Sequence, residues 1–268
     1  MYAVYGIIGD PVDHSLSPIM HNAAFKELGI KAVYGAFEVK TRSLEDAITG
    51  IRALNIKGVS VTIPHKEEVM KHLDEVKQEA VEIGAVNTIV NEAGKLTGYN
   101  TDWIGVVKAF ELNGVNLKGK KVVIIGAGGA AKAVVYAVKR AGASEVEVYN
   151  RTLEKAKALE RAFGVKAKPL NEVNTAAGEV IIQTTSVGLN SSESPVSKEV
   201  LKNFKVAMDI VYSPLKTQFL KFAEECGCKI IDGLQMLLYQ GVEQFKLWTG
   251  ENPPIEVMKK VLYETVRG

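Results

Sequence analysis

Apolar positions along the chain recur in two alternating rhythms. Residues 3–8 form a short β-rich apolar run, 17–28 carry helical spacing, 32–39 read as a strand, 43–54 as a helix and 58–63 as a strand. Strands and helices in that order predict a parallel α/β sheet. Residues 85–91 and 95–100 then alternate in period two around Glu92-Ala93-Gly94, which predicts a β-hairpin.

A second alternation follows. It predicts a helix over 102–112 with Asp102 as N-cap, a strand over 121–125, a helix over 130–141, a strand over 145–149, a helix over 153–163 and a strand over 180–184. Strands over 206–211 and 229–231 flank a helix over 217–225, and two helices, 233–248 and 255–266, close the chain around Pro253-Pro254. Two α/β domains of similar size are expected, with the first boundary near residues 100–102. The last helices have the option of returning to the first domain. No internal repeat is visible.

Composition narrows the classes. A chain of 268 residues with 47% hydrophobic content, 24 Gly and 8 Pro reads as ordinary globular protein rather than disordered or collagenous. Thirty-three Lys and Arg against 31 Asp and Glu give a net charge of +2, too balanced for nucleic-acid binding through a basic field. The longest apolar stretch, 122–131, is short of a bilayer span, so no membrane partner is expected. The opening MYAVYGIIGDPVDHS lacks the basic region of a signal peptide. Cys226 and Cys228 flank one glycine, a spacing unsuited to a relaxed disulfide, and the four His and two Cys have no metal-site spacing. A cytoplasmic protein with no metal is expected; the oligomeric state stays open, a homodimer included.

The sharpest local signal is KVVIIGAGGAAKAVVYAV. A strand runs into Gly126, Ala127, Gly128, Gly129, Ala130 and Ala131 and then a helix, as a G-x-G-x-x-G/A dinucleotide turn requires. The first Gly permits a tight turn, Gly128 lets backbone approach a pyrophosphate, and Ala131 allows close helix–strand packing. The helix start then offers N–H groups to phosphate. The next strand ends in Asn150-Arg151-Thr152 with no acid for a ribose 2′-hydroxyl. Arg151, with Lys155 expected one helical turn on, suits a 2′-phosphate, so NADP is expected over NAD. A ligand-free turn with two solvated cations is the bland alternative.

Three segments of the first half are polar where core is expected. His14-Ser15-Leu16-Ser17-Pro18 precedes a helix and offers two hydroxyls to a small carboxylate, or Ser17 and Pro18 simply as N-cap and N1. Val61-Thr62-Ile63-Pro64-His65-Lys66 ends a buried-looking strand, where ligands of open sheets bind. Gly84-Ala85-Val86-Asn87-Thr88 stands across the hairpin from Tyr99-Asn100-Thr101-Asp102. No spacing rule joins the three, and the residues alone lead to an NADP oxidoreductase with a separate polar substrate domain.

Taken in order, SLSP, VTIPHK, GAVNT, GYNTD, GAGGAA, NRT, TTSVGL, DIVYSPLKT and DGLQMLLYQG resemble the shikimate dehydrogenases over nearly the whole chain. The resemblance implies reversible NADPH-linked reduction of 3-dehydroshikimate to shikimate, on the route to chorismate and the aromatic amino acids. It implies a substrate domain over 1–101 joined by helices 238–268, a Rossmann-type NADP domain over 102–237, and a cleft between them. By position, Ser15 and Ser17 match the carboxylate-binding pair, and Thr62, Asn87 and Gln240 the hydroxyl-binding residues. Lys66 and Asp102 match the catalytic pair, and Tyr212 a substrate-contacting tyrosine. Gly126 to Ala131 match the cofactor turn, Asn150, Arg151, Thr152 and Lys155 the 2′-phosphate clamp, and Ile210 and Gly233 the nicotinamide lining. Leu189 and Ile210 stand where members often have Met. Three alternatives stay open: a quinate/shikimate dehydrogenase of broader substrate or cofactor use, a non-catalytic dinucleotide-binding regulatory protein, and another two-domain Rossmann enzyme such as a methylene-tetrahydrofolate dehydrogenase.

Overall fold

The computed structural model describes residues 2–267. The chain divides into two compact units, Met1–Asp102 with Gln240–Thr265, and Trp103–Tyr239 with Val266–Gly268. Each carries one six-stranded sheet.

In the first unit the alternation yields β1 (Ala3–Gly9), α1 (Ser17–Glu27), β2 (Ala32–Glu38), α2 (Leu44–Ala53) and β3 (Gly58–Val61). Then come β4 (Glu75–Val76), α3 (Gln78–Ile83), β5 (Thr88–Glu92) and β6 (Lys95–Tyr99). The strand order is β2-β1-β3-β5-β6-β4. β1 lies parallel to β2 and β3, and β5 reverses direction against both β3 and β6. The β5–β6 turn places Ala93 at φ 53° and Gly94 at φ 92°, the left-handed pair whose twist suits a two-residue hairpin. β3 stops at Val61, earlier than the apolar run suggests. Thr62 N–H still reaches Ile8 O at 3.0 Å, but the chain then turns through His65 N to Thr62 O, and Pro64 has no N–H for a ladder.

The second unit holds α4 (Asp102–Leu112, its first residue in the other unit), β7 (Lys121–Ile125), α5 (Gly129–Arg140), β8 (Glu145–Asn150), α6 (Leu153–Phe163) and β9 (Lys166–Pro169). It continues with β10 (Val180–Gln183), α7 (Lys198–Leu201), β11 (Val206–Asp209), α8 (Gln218–Glu225) and β12 (Lys229–Ile231). The chain ends with α9 (Gly233–Thr249) and α10 (Ile255–Arg267). All pairings are parallel in the order β12-β11-β10-β7-β8-β9. The order reverses between β7 and β10, which is where open parallel sheets bind ligands. β7 shows why the sheet is covered on both faces: Val122 and Ile124 join one apolar cluster, Val123 and Ile125 another. A carboxylate sits inside this sheet at β8. Glu147, 3% exposed, receives Lys121 and Lys168 at 2.9 Å each; burial would raise its carboxyl, but the two lysines and Tyr149 hold it at about 2.

The residues of α9 from Gln240 onward belong to the first unit because they complete its core. Trp248 fills the space over Gly58, where a Cβ would stand 2.2 Å from the indole, and its Nε1 donates to Ile89 O at 3.0 Å. Tyr5, Phe25, Tyr34, Phe245 and Trp248 surround His21 and one another with ring centroids 4.7 to 6.3 Å apart. In the second unit Trp103 is half-buried, and the Arg140 guanidinium lies 5.2 Å over its ring.

Candidate active site

Two expected caps are not caps. α1 begins at Ser17 itself, with Leu16 preceding it and no side-chain cap, so the Ser17 hydroxyl is not tied to the helix start. Ser15 Oγ instead accepts Ser17 N–H at 3.3 Å. Both hydroxyls therefore lie at the N-terminal turn of α1, Ser17 buried and Ser15 half-buried. Asp102 is likewise the first residue of α4 rather than its N-cap. Asn100 Oδ1 accepts the Asp102 N–H at 3.1 Å, which leaves the carboxylate available elsewhere.

That carboxylate gathers the first unit's polar segments. Lys66 Nζ donates to Asp102 Oδ2 at 2.6 Å, the two side chains 14% and 6% exposed. Asn87 Nδ2 donates to Asp102 Oδ1 at 2.8 Å, to Thr101 Oγ1 at 3.0 Å and to Gln240 Oε1 at 3.3 Å. Asn87 Oδ1 accepts Thr101 N–H at 2.7 Å. Lys66 O receives Val86 N–H at 2.7 Å, so the VTIPHK and GAVNT segments are also bonded through backbone. Thr62 is half-buried at the end of β3, its Cγ2 occupying the space beside Gly9. A lysine, a carboxylate and two side-chain amides thus converge from four separate stretches of chain, the arrangement expected for handling a proton beside several oxygens.

Several members of this network were not singled out in the sequence. Ser60, Tyr34 and Gln244 are buried and hydrogen-bonded into it, as is Thr88 from the GAVNT segment. Gln244 carried a signal: it stands one helical turn after Gln240 on α9, hence on the same face.

The second unit holds the remaining residues. Gly126 follows β7 at φ 111°, and a Cβ there would stand 2.5 Å from Thr184 Oγ1, so only glycine makes this turn. Gly128 is exposed, has open space where a Cβ would project, and leaves the start of α5 without a side-chain cap. Ala131 is fully buried, letting α5 approach the sheet. At the tip of β8, Asn150 Nδ2 donates to Thr152 O at 2.8 Å. Arg151 precedes α6 rather than standing on it, so Lys155 does not share a helix face with it. Both are exposed, and no acidic side chain stands at the tip. An open glycine cradle, uncapped N–H groups and two cations fit a dinucleotide bearing a 2′-phosphate.

Ile210 and Gly233 meet through backbone: a Cβ on Gly233 would stand 2.5 Å from Ile210 O. Asp209, at the end of β11, braces the segment that carries Ile210 and the half-buried Tyr212. Its Oδ1 accepts Val211 N–H at 2.9 Å and its Oδ2 accepts Thr217 Oγ1 at 2.6 Å. Burial pushes this carboxyl up to about 7, with the two hydrogen bonds acting in the opposite direction. Among the described residues no cluster of His, Cys, Asp and Glu forms a metal site, and no helix is long and apolar enough to cross a membrane.

Family models match three stretches. Residues 7–89 match the shikimate dehydrogenase substrate binding domain, 108–211 the shikimate / quinate 5-dehydrogenase family, and 233–263 the shikimate 5'-dehydrogenase C-terminal domain. Over 267 residues the chain is 52% identical to the shikimate dehydrogenase (NADP(+)) of Thermococcus kodakarensis, covering 98% of this chain and 97% of that one. The chain belongs to the shikimate dehydrogenase family. Among solved shikimate dehydrogenases, a crystal structure in complex with NADP+ is 45% identical with a TM-score of 0.92, covering 99% of this chain and 96% of that one. The Thermus thermophilus shikimate 5-dehydrogenase in complex with NADP(H) and shikimate is 39% identical with a TM-score of 0.90, covering 98% of this chain and 99% of that one. Both similarities run through the two units.

Proposed function

We propose that this shikimate dehydrogenase reversibly reduces 3-dehydroshikimate to shikimate with NADPH. In this reading the first unit binds the substrate and the second binds the cofactor. The observation that carries the reading is the Lys66–Asp102 pair, 2.6 Å apart and bonded to Asn87.

Ser15 and Ser17 bind the substrate carboxylate at the start of α1, Thr62, Asn87 and Gln240 bind ring hydroxyls, and Tyr212 is a further substrate contact. Fixing a ring in this way removes roughly 7–11 kcal/mol of barrier in favourable cases. NADPH, when bound, supplies the hydride that reduces the ketone carbon. Gly126 to Ala131 hold its pyrophosphate, Asn150, Arg151, Thr152 and Lys155 its 2′-phosphate, and Ile210 and Gly233 line the nicotinamide. Lys66 gives an Nζ proton to the ketone oxygen as charge develops there, and takes one from the hydroxyl in the reverse direction. Asp102 holds Nζ in place. A cytoplasmic location goes with this reading, since Cys226 and Cys228 are both free thiols. A homodimer is compatible with it and is measured separately by sedimentation.

The test is absorbance at 340 nm with shikimate and NADP, quinate and NAD serving as competing substrate and cofactor. Lys66→Ala is expected to cut kcat by about 10²- to 10⁴-fold, as loss of an acid–base group does, with KM for shikimate nearly unchanged. A retained kcat with a raised KM makes Lys66 a binding residue instead.

A further inference from the structure

Behind Asp102 lies a run of buried polar groups in which each donor points towards the carboxylate. Tyr34 OH donates to Ser60 Oγ at 2.7 Å, and Ser60 Oγ to Gln244 Oε1 at 2.9 Å. Gln244 Nε2 donates to Thr88 Oγ1 at 3.0 Å and to Asn87 O at 3.2 Å. Thr88 Oγ1 donates to Asn87 Oδ1 at 2.8 Å, and Asn87 Nδ2 to Asp102 Oδ1 at 2.8 Å. Tyr34, Ser60, Thr88, Asn87 and Gln244 are all under 5% exposed.

A hydroxyl has one proton, so when one neighbour donates to it the proton turns to an acceptor on another side. Gln244 Nε2 donates to Thr88, and the Thr88 proton goes to Asn87 Oδ1 at 2.8 Å rather than to Thr101 Oγ1 at 3.4 Å, which itself donates to Asn87 Oδ1 at 3.3 Å. Asn87 then presents its NH2 to Asp102. Reversed, the amide would set its carbonyl oxygen against the carboxylate. The Thr101 N–H supports the same orientation from the other side of the amide. Gln244 also holds the main chain of Asn87 through its carbonyl oxygen, a bond shared with Val61 N–H at 2.8 Å. An apolar side chain of this length would fill the slot on α9 but leave the buried Ser60 Oγ and Thr88 Oγ1 without their amide partner, so Gln244 both satisfies these hydroxyls and fixes their direction.

We propose that Gln244 is a positioning residue for the reaction, acting through Thr88 and Asn87 to orient the Asn87 amide on Asp102 beside Lys66. The proposal deepens the reading above and rests on it. Gln244 need not touch substrate or cofactor.

The experiment is a double-mutant cycle on the full chain, assayed with shikimate and NADP, with Tm measured for every variant. Gln244→Met keeps length and loses both hydrogen-bonding ends. It is expected to lower kcat by up to about 100-fold, the scale of a small misplacement of reacting groups, with KM for NADP unchanged. Gln244→Glu keeps the acceptor for Ser60 but lacks the NH2, and does not restore kcat. Thr88→Val lowers kcat in the same direction. In an Asn87→Ala background, Gln244→Met costs nothing further, because the group it acts through is gone. The proposal is overturned if Gln244→Met turns over like the wild type, or if its loss is the same factor with and without Asn87. Should Gln244→Met fail to fold, the same cycle with Thr88→Val decides by the same two outcomes. A wild-type chain inert towards shikimate and NADP removes the functional reading and this proposal together; an active wild type with an additive cycle removes only this one.

Discussion

His21 lies fully buried in the aromatic cluster of the first unit, beside the Gln244 side chain. Burial lowers it from 6.5 to about 3, with the Gln244 contact acting in the opposite direction. The unfolded chain therefore takes up a proton that the folded chain refuses. Stability from this group is fully present above pH 6.5 and is lost as pH falls towards about 3, at most roughly 1.4 kcal/mol per pH unit. Asp209 works in the other direction: its contribution is present below 3.8 and is lost as pH rises through about 7. His21→Phe is expected to hold its Tm better than the wild type between pH 6.5 and about 4, and thermal melts across that range measure it. A constant Tm difference across the range would contradict the assignment. At this scale, Lys66, Asn87 and Asp102 were legible as polar residues in short runs at strand ends. Their meeting could not be read from spacing, since no rule joins positions that only the sheet brings together; the family resemblance supplied it. Gln244 was missed for a related reason: a single Gln on a mostly apolar helix looks like any other partly exposed position until its partners on β3 and β5 are known.

Among elements, those with a full period of apolar residues were readable. Short elements without an apolar run, β4, β9 and α7, were not, whereas the equally short β10, β11 and β12 were, because each is mostly apolar. Caps were the weakest element-level reading. Ser17-Pro18 has the right residue types for an N-cap and N1, yet the helix starts one residue sooner. The tip of β8 yields the prediction proper to this scale. The strand, next to β7 in the sheet, delivers Arg151 to an exposed turn at its C-terminal end, without an acid beside it. Arg151→Ala is expected to lower the ratio of kcat/KM for NADP to that for NAD by at least about tenfold, the loss of one charge-assisted contact of about 1.5–3 kcal/mol. An unchanged ratio, from parallel assays with the two cofactors, would remove Arg151 from the clamp.

Across the molecule, the two α/β alternations were visible in the sequence because each carries its own run of strand and helix signals. How α9 is shared out was not visible in its apolar pattern, which runs on without a break; the family resemblance put the division at 237/238, and the units divide at Tyr239/Gln240. The residues from Gln240 onward supply the first unit with Gln240, Gln244 and Trp248, which bond to Asn87, Ser60, Thr88 and Ile89. A chain stopped after Tyr239 leaves the space over Gly58 open and takes one partner from each of those polar groups. It is expected to lose the thermal stabilisation given by shikimate while keeping that given by NADP, as ligand-dependent melts would report. Retention of both shifts would mean that the first unit folds without its returning segment.

The two tryptophans of the chain are divided between the units. Trp248 is enclosed by aromatic rings in the first, and Trp103 lies half-covered by Arg140 in the second. Each unit therefore carries its own intrinsic fluorophore. Replacing either indole with phenylalanine leaves a single emitter, whose spectrum reports the melting of one unit without any attached dye.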